Sequence, residues 1–503
     1  MAFSALAACS AGPSNRPVIA VHGGDEESAQ AAAPTGPREI PPLDEYDRNA
    51  LDWADCTDAT RLRMGDTAPA GSSTYECARV NVRLDAPSRP GRGTLGIAVL
   101  RVGTGASPLV VVGDPGGEPG TLKAARLAAS LPASVLSTFT LIGVDRRGTG
   151  KSDGVQCVPD LARVGIVESD PASETQDALL EDIGRASQEC VLDLENRLTA
   201  VDSWRTAADL EQLRDKLGVA HLNALGVGDG SKVLTLYASR YPDRIGRMVF
   251  DGAPDPTLDS QGVAESRAVA AESTFEAFGK DCVVRSCPLG ADATGRFTAL
   301  LSKLRVKPLR GNDFDLTPGT ATVAVLAGLA DRAAWPALAD ALVAAEGGDG
   351  AKLGDLIRSY VVERDDNPPR LDAGLITGCN DTVVRIPPER VATITQDWRG
   401  KHPLFGAYFA RQLLSCGPFP VPQPAKVPQL TSAPPIVVVT TSGDPVTPQS
   451  GSERAAQALP AGIAIGWQGA GHSAIPVSAC ATAAATEFLV NGTTPTSGTV
   501  CPP

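Results

Sequence analysis

An α/β fold, with a mostly parallel sheet flanked by helices and a mainly helical insertion, follows from three observations on the 503-residue chain. Continuously apolar runs such as SPLVVV and PPIVVV end in loops containing glycine. These runs alternate with stretches of helical period, the signature of parallel strands joined by right-handed crossovers. From residue 256 to 428 that rhythm gives way to Ala- and Leu-rich helical sequence.

Taken in chain order, residues 10–45 are rich in Ala, Gly, Pro and Ser, the composition of a tether. Ordered structure is expected to begin near Trp53 and Cys56, so that residues 46–255 form the first part of the core. ARVNVRLD and GTLGIAVLRV alternate like antiparallel strands around the turn PSRPGRG. SPLVVV and FTLIGV are buried strands. SWRTAADLEQLRDKLGV has helical period, with Ala and Leu on one face, HLNALGVG is the next strand and GSKVLTLYASRYPDR the next helix. IGRMVFDG is a strand before the insertion at 256–428, which reads as a cap. Residues 429–503 complete the core with the strands in APPIVVVTTSGDP and GIAIGWQGAGHS and the helix CATAAATEFLV.

The net charge of −13 argues against nucleic acid and against charge-driven binding to an anionic membrane. Eleven cysteines are present. Without Cys9, an even ten remain, scattered with no C-x-x-C metal spacing, which reads as up to five disulfides in an exported protein. The competing reading is ten buried free thiols in a cytosolic one. Neither metal nor cofactor is expected. Leu6-Ala7-Ala8-Cys9 has the form of a bacterial lipobox, which makes residues 1–9 the remnant of a signal sequence and Cys9 a lipidation site. The apolar stretch before it is short for a complete signal peptide, and no basic residues precede it. VIAVHGG, with His22, imitates an oxyanion motif but lies upstream of any complete strand–helix series.

GVGDG, residues 226–230, has the outline of the strand–turn–helix motif G-x-S-x-G that presents a nucleophilic serine, with Gly228 at the serine's position. In such folds the acid and base follow on later strand ends. His472, in GAGHS, alone of the four histidines lies beyond an acid candidate and on a loop after a strand. Asp444, in SGDPVTP, is that acid, although Asp before Pro also starts turns readily. Asp251, in FDG, is a second choice. The loop PGGEPG could aim the N–H groups of Gly116 and Gly117 at an oxyanion, with the N–H of Asp229 beside them. DRRGTGKSD, residues 145–153, reads as a structural turn held by Asp–Arg pairing.

These pieces together resemble the tripeptidyl aminopeptidase-like branch of the α/β-hydrolases, secreted serine exopeptidases related to prolyl aminopeptidases. The resemblance is carried by GDPGGEPG, VDRRGTGKSDGVQC, YPDRIGRMVFDGAPDP, ITGCND, SGDPVTP, GHS and a terminal C-x20-C, and spans residue 53 to the C-terminus. It implies an α/β-hydrolase fold with a cap over the active site, and release of short peptides from free N-termini. It also implies the pairings Cys56–Cys77, Cys157–Cys190, Cys282–Cys287, Cys379–Cys416 and Cys480–Cys501. Asp444 and His472 keep the family pattern. Gly228 departs from it, and GGEPG stands where the family has GGPG.

No other residue fits the nucleophile position. Residues two before and two after it must be small, which Gly226 and Gly230 satisfy. A register centred on Asp229 would place β-branched Val227 there, and one centred on Ser231 would place Asp229 and Val233. Pro242 follows position 228 by the fourteen residues the family keeps, so no insertion hides a serine. Ser231 remains an alternative nucleophile, although helix N-terminal hydrogen bonding suits it better.

Three readings follow. The first is a cell-surface or secreted pseudo-hydrolase binding a peptide or small molecule under its cap. The second is an active exopeptidase using Ser231 or a water activated by His472. The third is an active peptidase carrying an engineered Ser→Gly change at 228. Asp381, in GCND, is the candidate carboxylate for a substrate α-amine, because that charge needs a partner once desolvated. Contact with a membrane is expected only through an N-terminal lipid anchor.

Overall fold

A computed structural model describes residues 36–65, 68–69 and 73–503. Cys9 and His22 lie outside the described residues. The strands in chain order are β1 (Gly36–Pro37), β2 (Ala54–Asp55), β3 (Glu76–Arg83), β4 (Thr94–Val102), β5 (Ser107–Val112) and β6 (Phe139–Val144). They continue with β7 (Leu222–Val227), β8 (Ile245–Asp251), β9 (Ser432–Ala433), β10 (Ile436–Gly443), β11 (Gly462–Ala470) and β12 (Thr499–Cys501). Ten of them form one sheet in the order β12-β11-β10-β8-β7-β5-β6-β4-β3-β2. From β12 to β6 the pairing is parallel, and β4, β3 and β2 extend it antiparallel. This is the α/β-hydrolase fold.

The central strands are apolar throughout because both faces of the sheet are covered. In β5 and β10 alternate residues go to opposite cores. Val110, Val112, Ile436 and Val438 pack on one side with the helices Ser203–Lys216 and Asp229–Arg240. Leu109, Val111, Val437 and Val439 pack on the other with Gly120–Ala128 and Ala479–Asn491. Each such side chain, fully buried, contributes roughly 1.5–3 kcal/mol.

Seven helices of seven residues or more between Ser260 and Gln412 build the cap, whose core centres on Phe275, Phe278, Phe297, Trp335 and Phe405. The cap is larger than the expected 256–428. The helices Asp160–Glu168 and Asp177–Leu194, expected within the first part of the core, join it instead. Val167 enters the cap core, and Arg163 forms a buried ion pair with cap Asp372 at 2.7 Å. Removing either partner would strand a buried charge, so the pair holds this segment to the cap.

The tether expected over 10–45 also ends early. β1 pairs with β9, Arg38 reaches Asp243 at 2.8 Å, and Tyr46 is buried. Pro-rich composition gave no sign of this docking, which uses backbone hydrogen bonds, Arg38 and an Asp44 contact with His221. All five disulfides implied by the resemblance are formed: Cys56–Cys77, Cys157–Cys190, Cys282–Cys287, Cys379–Cys416 and Cys480–Cys501. Among the described residues no helix is long and apolar enough to cross a membrane.

Candidate active site

The parallel strands β5, β7, β8, β10 and β11 end side by side, so the loops that follow them meet at one edge of the sheet. The turn after β7 has kept its shape without its hydroxyl. Gly228 sits at φ 58°, ψ −122° and caps the helix Asp229–Arg240. Glycine takes this left-handed conformation without the strain any other residue would bear. The flanks must indeed be small: a Cβ on Gly230 would stand 2.1 Å from the Val112 carbonyl oxygen, and one on Gly226 2.9 Å from the Ser231 nitrogen.

The structure brings Asp444 and His472 together beside Gly228. Asp444 is buried and 3.1 Å from His472 Nδ1. It also accepts the N–H groups of Val446 and Thr447 at 2.7 and 2.9 Å, so it starts a turn as well. The His472 N–H donates to the cap carbonyl of Ala330 at 2.7 Å. Asp251 is not the acid. Its carboxylate accepts from Ser473 Oγ and from the N–H groups of Ala474 and Ile475, which anchors the loop carrying the histidine.

The residue that sequence reasoning passed over is Asp114, the first carboxylate after β5. Its Oδ2 lies 2.8 Å from His472 Nε2, the nitrogen that would face a serine. Its Oδ1 accepts the Asp229 N–H at 2.7 Å, the donor expected to hold an oxyanion. A Cβ built on Gly228 would stand 2.4 Å from Asp114 Oδ1 and 2.6 Å from His472 Nε2. The Asp114 carboxylate thus fills the space a serine side chain would need. A signal was present: VVVGDP at 110–115 repeats the strand-Gly-Asp-Pro pattern that singles out Asp444.

Electrostatics follow from this stacking. Burial alone would lower the pKa of the imidazole, but the carboxylates of Asp444 and Asp114 on either side overrule it and raise it to about 10. For Asp114, burial would raise the pKa; the His472 imidazolium overrules that and holds the carboxyl well below the usual range. At neutral pH the ring is a cation between two anions, and so is already protonated where a general base must be free. The site is not sealed, since the side chains of His472 and Asp114 are 15% and 20% exposed.

The other expected residues divide. The Gly117 N–H closes a turn onto the Asp114 carbonyl at 3.2 Å and is not presented to an oxyanion. Gly116 packs against Gly374 of the cap. The Asp229 carboxylate pairs with Arg146 at 2.6 Å. Arg146 also reaches the Gly113 carbonyl and Ser203 Oγ, joining the elbow to the loop of Asp114. In the 145–153 turn the arginines therefore pair outward, Arg147 with Asp209, while Asp145 accepts the N–H groups of Thr121 and Lys151. Ser231 is fully buried, its hydroxyl donating to the Gly252 carbonyl at 2.6 Å and within 3.2 Å of the Gly226 carbonyl. It caps no helix and faces no solvent, which removes it as a displaced nucleophile.

Asp381 is not a free carboxylate awaiting an amine. Lys232 Nζ lies 2.8 Å away, and Ser203 donates both its N–H and its hydroxyl. Burial would raise its pKa, but Lys232 overrules this and lowers it. Its evident work is to bind the cap to the elbow helix.

Family comparisons agree with the fold. Residues 116–310 match the model described as alpha/beta hydrolase fold, and residues 402–501 match the model of TAP-like protein. The chain is 30% identical over 470 residues to serine protease Hip1 of Mycobacterium tuberculosis, covering 84% of this chain and 87% of that one. It is 27% identical over 486 residues to carboxylesterase B of the same species, covering 90% of each. It is 29% identical over 224 residues to tripeptidyl aminopeptidase of Streptomyces lividans, covering 42% of this chain and 40% of that one. With its fold, its paired Asp444 and His472 and this extent of likeness, the chain belongs to the TAP-like α/β-hydrolase family.

Proposed function

We propose that this chain is an exported hydrolase-fold protein without serine-hydrolase activity, which holds a peptide or another small ligand under its cap. The observation that supports this is the Asp114 carboxylate standing over Gly228 in the space of the missing hydroxyl. Serine chemistry needs a hydroxyl on Cβ, a neutral imidazole and an unoccupied oxyanion donor. Here the first is absent, the second is held as a cation, and the third is bonded to Asp114. Losing the nucleophile alone typically costs several orders of magnitude.

The relatives' names, serine protease and tripeptidyl aminopeptidase, suggest a peptide as the ligand. Export is supported by the five disulfides, which persist in oxidising compartments. Anchoring through a lipid on Cys9 belongs to the same proposal. The test is exposure of the folded protein to a fluorophosphonate probe and to N-terminal tripeptide anilides. No label and no anilide release are expected. Labelling that disappears on unfolding would end the proposal.

A further inference from the structure

The cap carries positive charge that the loops beneath it do not match. Four side chains from four cap helices gather beside the loops of Asp114 and Asp444. Arg267 comes from Ser260–Val284, Tyr360 from Arg358–Val361, Arg370 from Arg370–Asn380 and Tyr408 from Gly406–Gln412. Arg267 Nε donates to the Val446 carbonyl at 2.9 Å, and the Val446 N–H is itself held by Asp444. The Tyr360 ring would stand 3.8 Å from a Cβ on Gly116, two residues beyond Asp114. Arg267 acts electrostatically on both phenols, Arg370 on Tyr360 and Tyr360 on Tyr408, so the four form one cluster. All four are partly exposed, and a narrow crevice lined by Pro115, Gly117, Arg370 and Ala373 lies between the Asp114 loop and the cap.

The carboxylates around this cluster already have their cations. Asp114 and Asp444 share His472, Asp372 pairs with Arg163, Asp381 with Lys232, and Glu118 with Arg126 at 2.5 Å. Elsewhere in the cap arginines are matched too, Arg296 with Glu346 and Arg332 with Asp281. Among the described residues Arg267 and Arg370 have no carboxylate within ion-pair distance, and the hydroxyls of Tyr360 and Tyr408 have no hydrogen-bond partner. Arg370 reaches only the carbonyl and hydroxyl of Ser359. Burial pushes its guanidinium below the ordinary value, and Glu118, already paired, does not restore it. A half-buried cation of this kind is stabilised by an anion brought to it. Two carboxylates and the His472 imidazolium carry one net negative charge, so the two guanidiniums turn this part of the cleft net positive.

From this arrangement we infer that Arg267, Arg370, Tyr360 and Tyr408 form a carboxylate-binding subsite, which holds the C-terminal carboxylate of a short peptide. A guanidinium presents paired N–H donors that match the two oxygens of a carboxylate, and the phenols add O–H donors. The opposite end of a peptide finds no such welcome, because Asp381 is consumed by Lys232 and Ser203. The inference rests on the ligand reading above and adds which end of the ligand is gripped.

Calorimetric titration of the full chain with N-acetyl-trialanine, its C-terminal amide and inorganic phosphate tests it. The free acid should bind about 10- to 100-fold more tightly than the amide, the difference that charge-assisted hydrogen bonds supply. Arg267→Gln and Arg370→Gln should each cut that preference while keeping urea midpoints close to wild type. Tyr408→Phe, which keeps the ring, should cut it less, and phosphate should compete with the acid. Equal binding of acid and amide would overturn the inference and leave the ligand reading standing, as would a preference that survives in both arginine variants. Phosphate bound without either peptide, or no binding of any of the three, would overturn the peptide reading as well. Should an arginine variant not fold, the acid–amide ratio of the wild type and of Tyr408→Phe still decides.

Discussion

The same tripeptide, Gly-Asp-Pro, ends two strands of this sheet, as 113–115 after β5 and as 443–445 after β10. Both carboxylates reach the one imidazole, from opposite nitrogens. Asp444 is 1% exposed and bonds within its own turn, to Val446 and Thr447. Asp114 is 20% exposed and bonds across the site, to the elbow N–H and to Nε2. One loop orients a histidine, and the other occupies what that histidine would have activated. An aspartate after a strand has no fixed role; its role is set by the side of the ring its strand position places it on.

The contrast breaks most severely if the serine is put back. Gly228→Ser alone should hydrolyse p-nitrophenyl esters only weakly, since its Cβ would fall 2.4 Å from Asp114 Oδ1 and the carboxylate would have to leave the Asp229 N–H and His472 to make room. Gly228→Ser combined with Asp114→Ala clears the space, removes one anion from His472 and frees the Asp229 N–H. Ester hydrolysis should then rise by about 10³-fold or more over either single variant. Equal activity of the single and double serine variants would show that Asp114 is not the obstruction.

A smaller effect concerns the shared ring. With His472 raised to about 10 in the folded state, against about 6.5 when unfolded, its pairing stabilises the protein fully below pH about 6.5. That stability should fade as pH rises toward about 10, by on the order of 3 kcal/mol allowing for partial solvent access. Denaturant unfolding between pH 6 and pH 9.5, about the span of the linkage window, should show this slope, and His472→Gln should lack it. A flat wild-type profile would mean the two carboxylates do not hold the ring as a cation.

The smallest effect separates the two loops directly. Asp444→Ala strands the turn donors of Val446 and Thr447 and should cost roughly 2–3 kcal/mol. Asp114→Ala, with more solvent at the site, should cost about 1 kcal/mol. Equal urea midpoint shifts for the two variants would erase the distinction drawn from burial.

Much of this was legible before any coordinates. Apolar runs covered on both faces mark strands, helical period marks the elements between them, and chain order places Asp444 and His472 on consecutive strand ends. The small flanks Gly226 and Gly230 locate position 228 because a Cβ at either would meet backbone. These are local rules, and local sequence carries them.

Asp114, Asp381 and the helices at 160–194 were misjudged or passed over for the opposite reason. Whether a carboxylate is free, paired with a lysine or lodged over a glycine depends on partners more than a hundred residues away in the chain. By itself the sequence determined the fold, the order of the site loops and the missing hydroxyl, since periodicity and steric allowance act over a few residues. Only the tertiary structure decided what fills that absence, because β5 and β7 are neighbours in the sheet and the side chain after β5 reaches across to position 228.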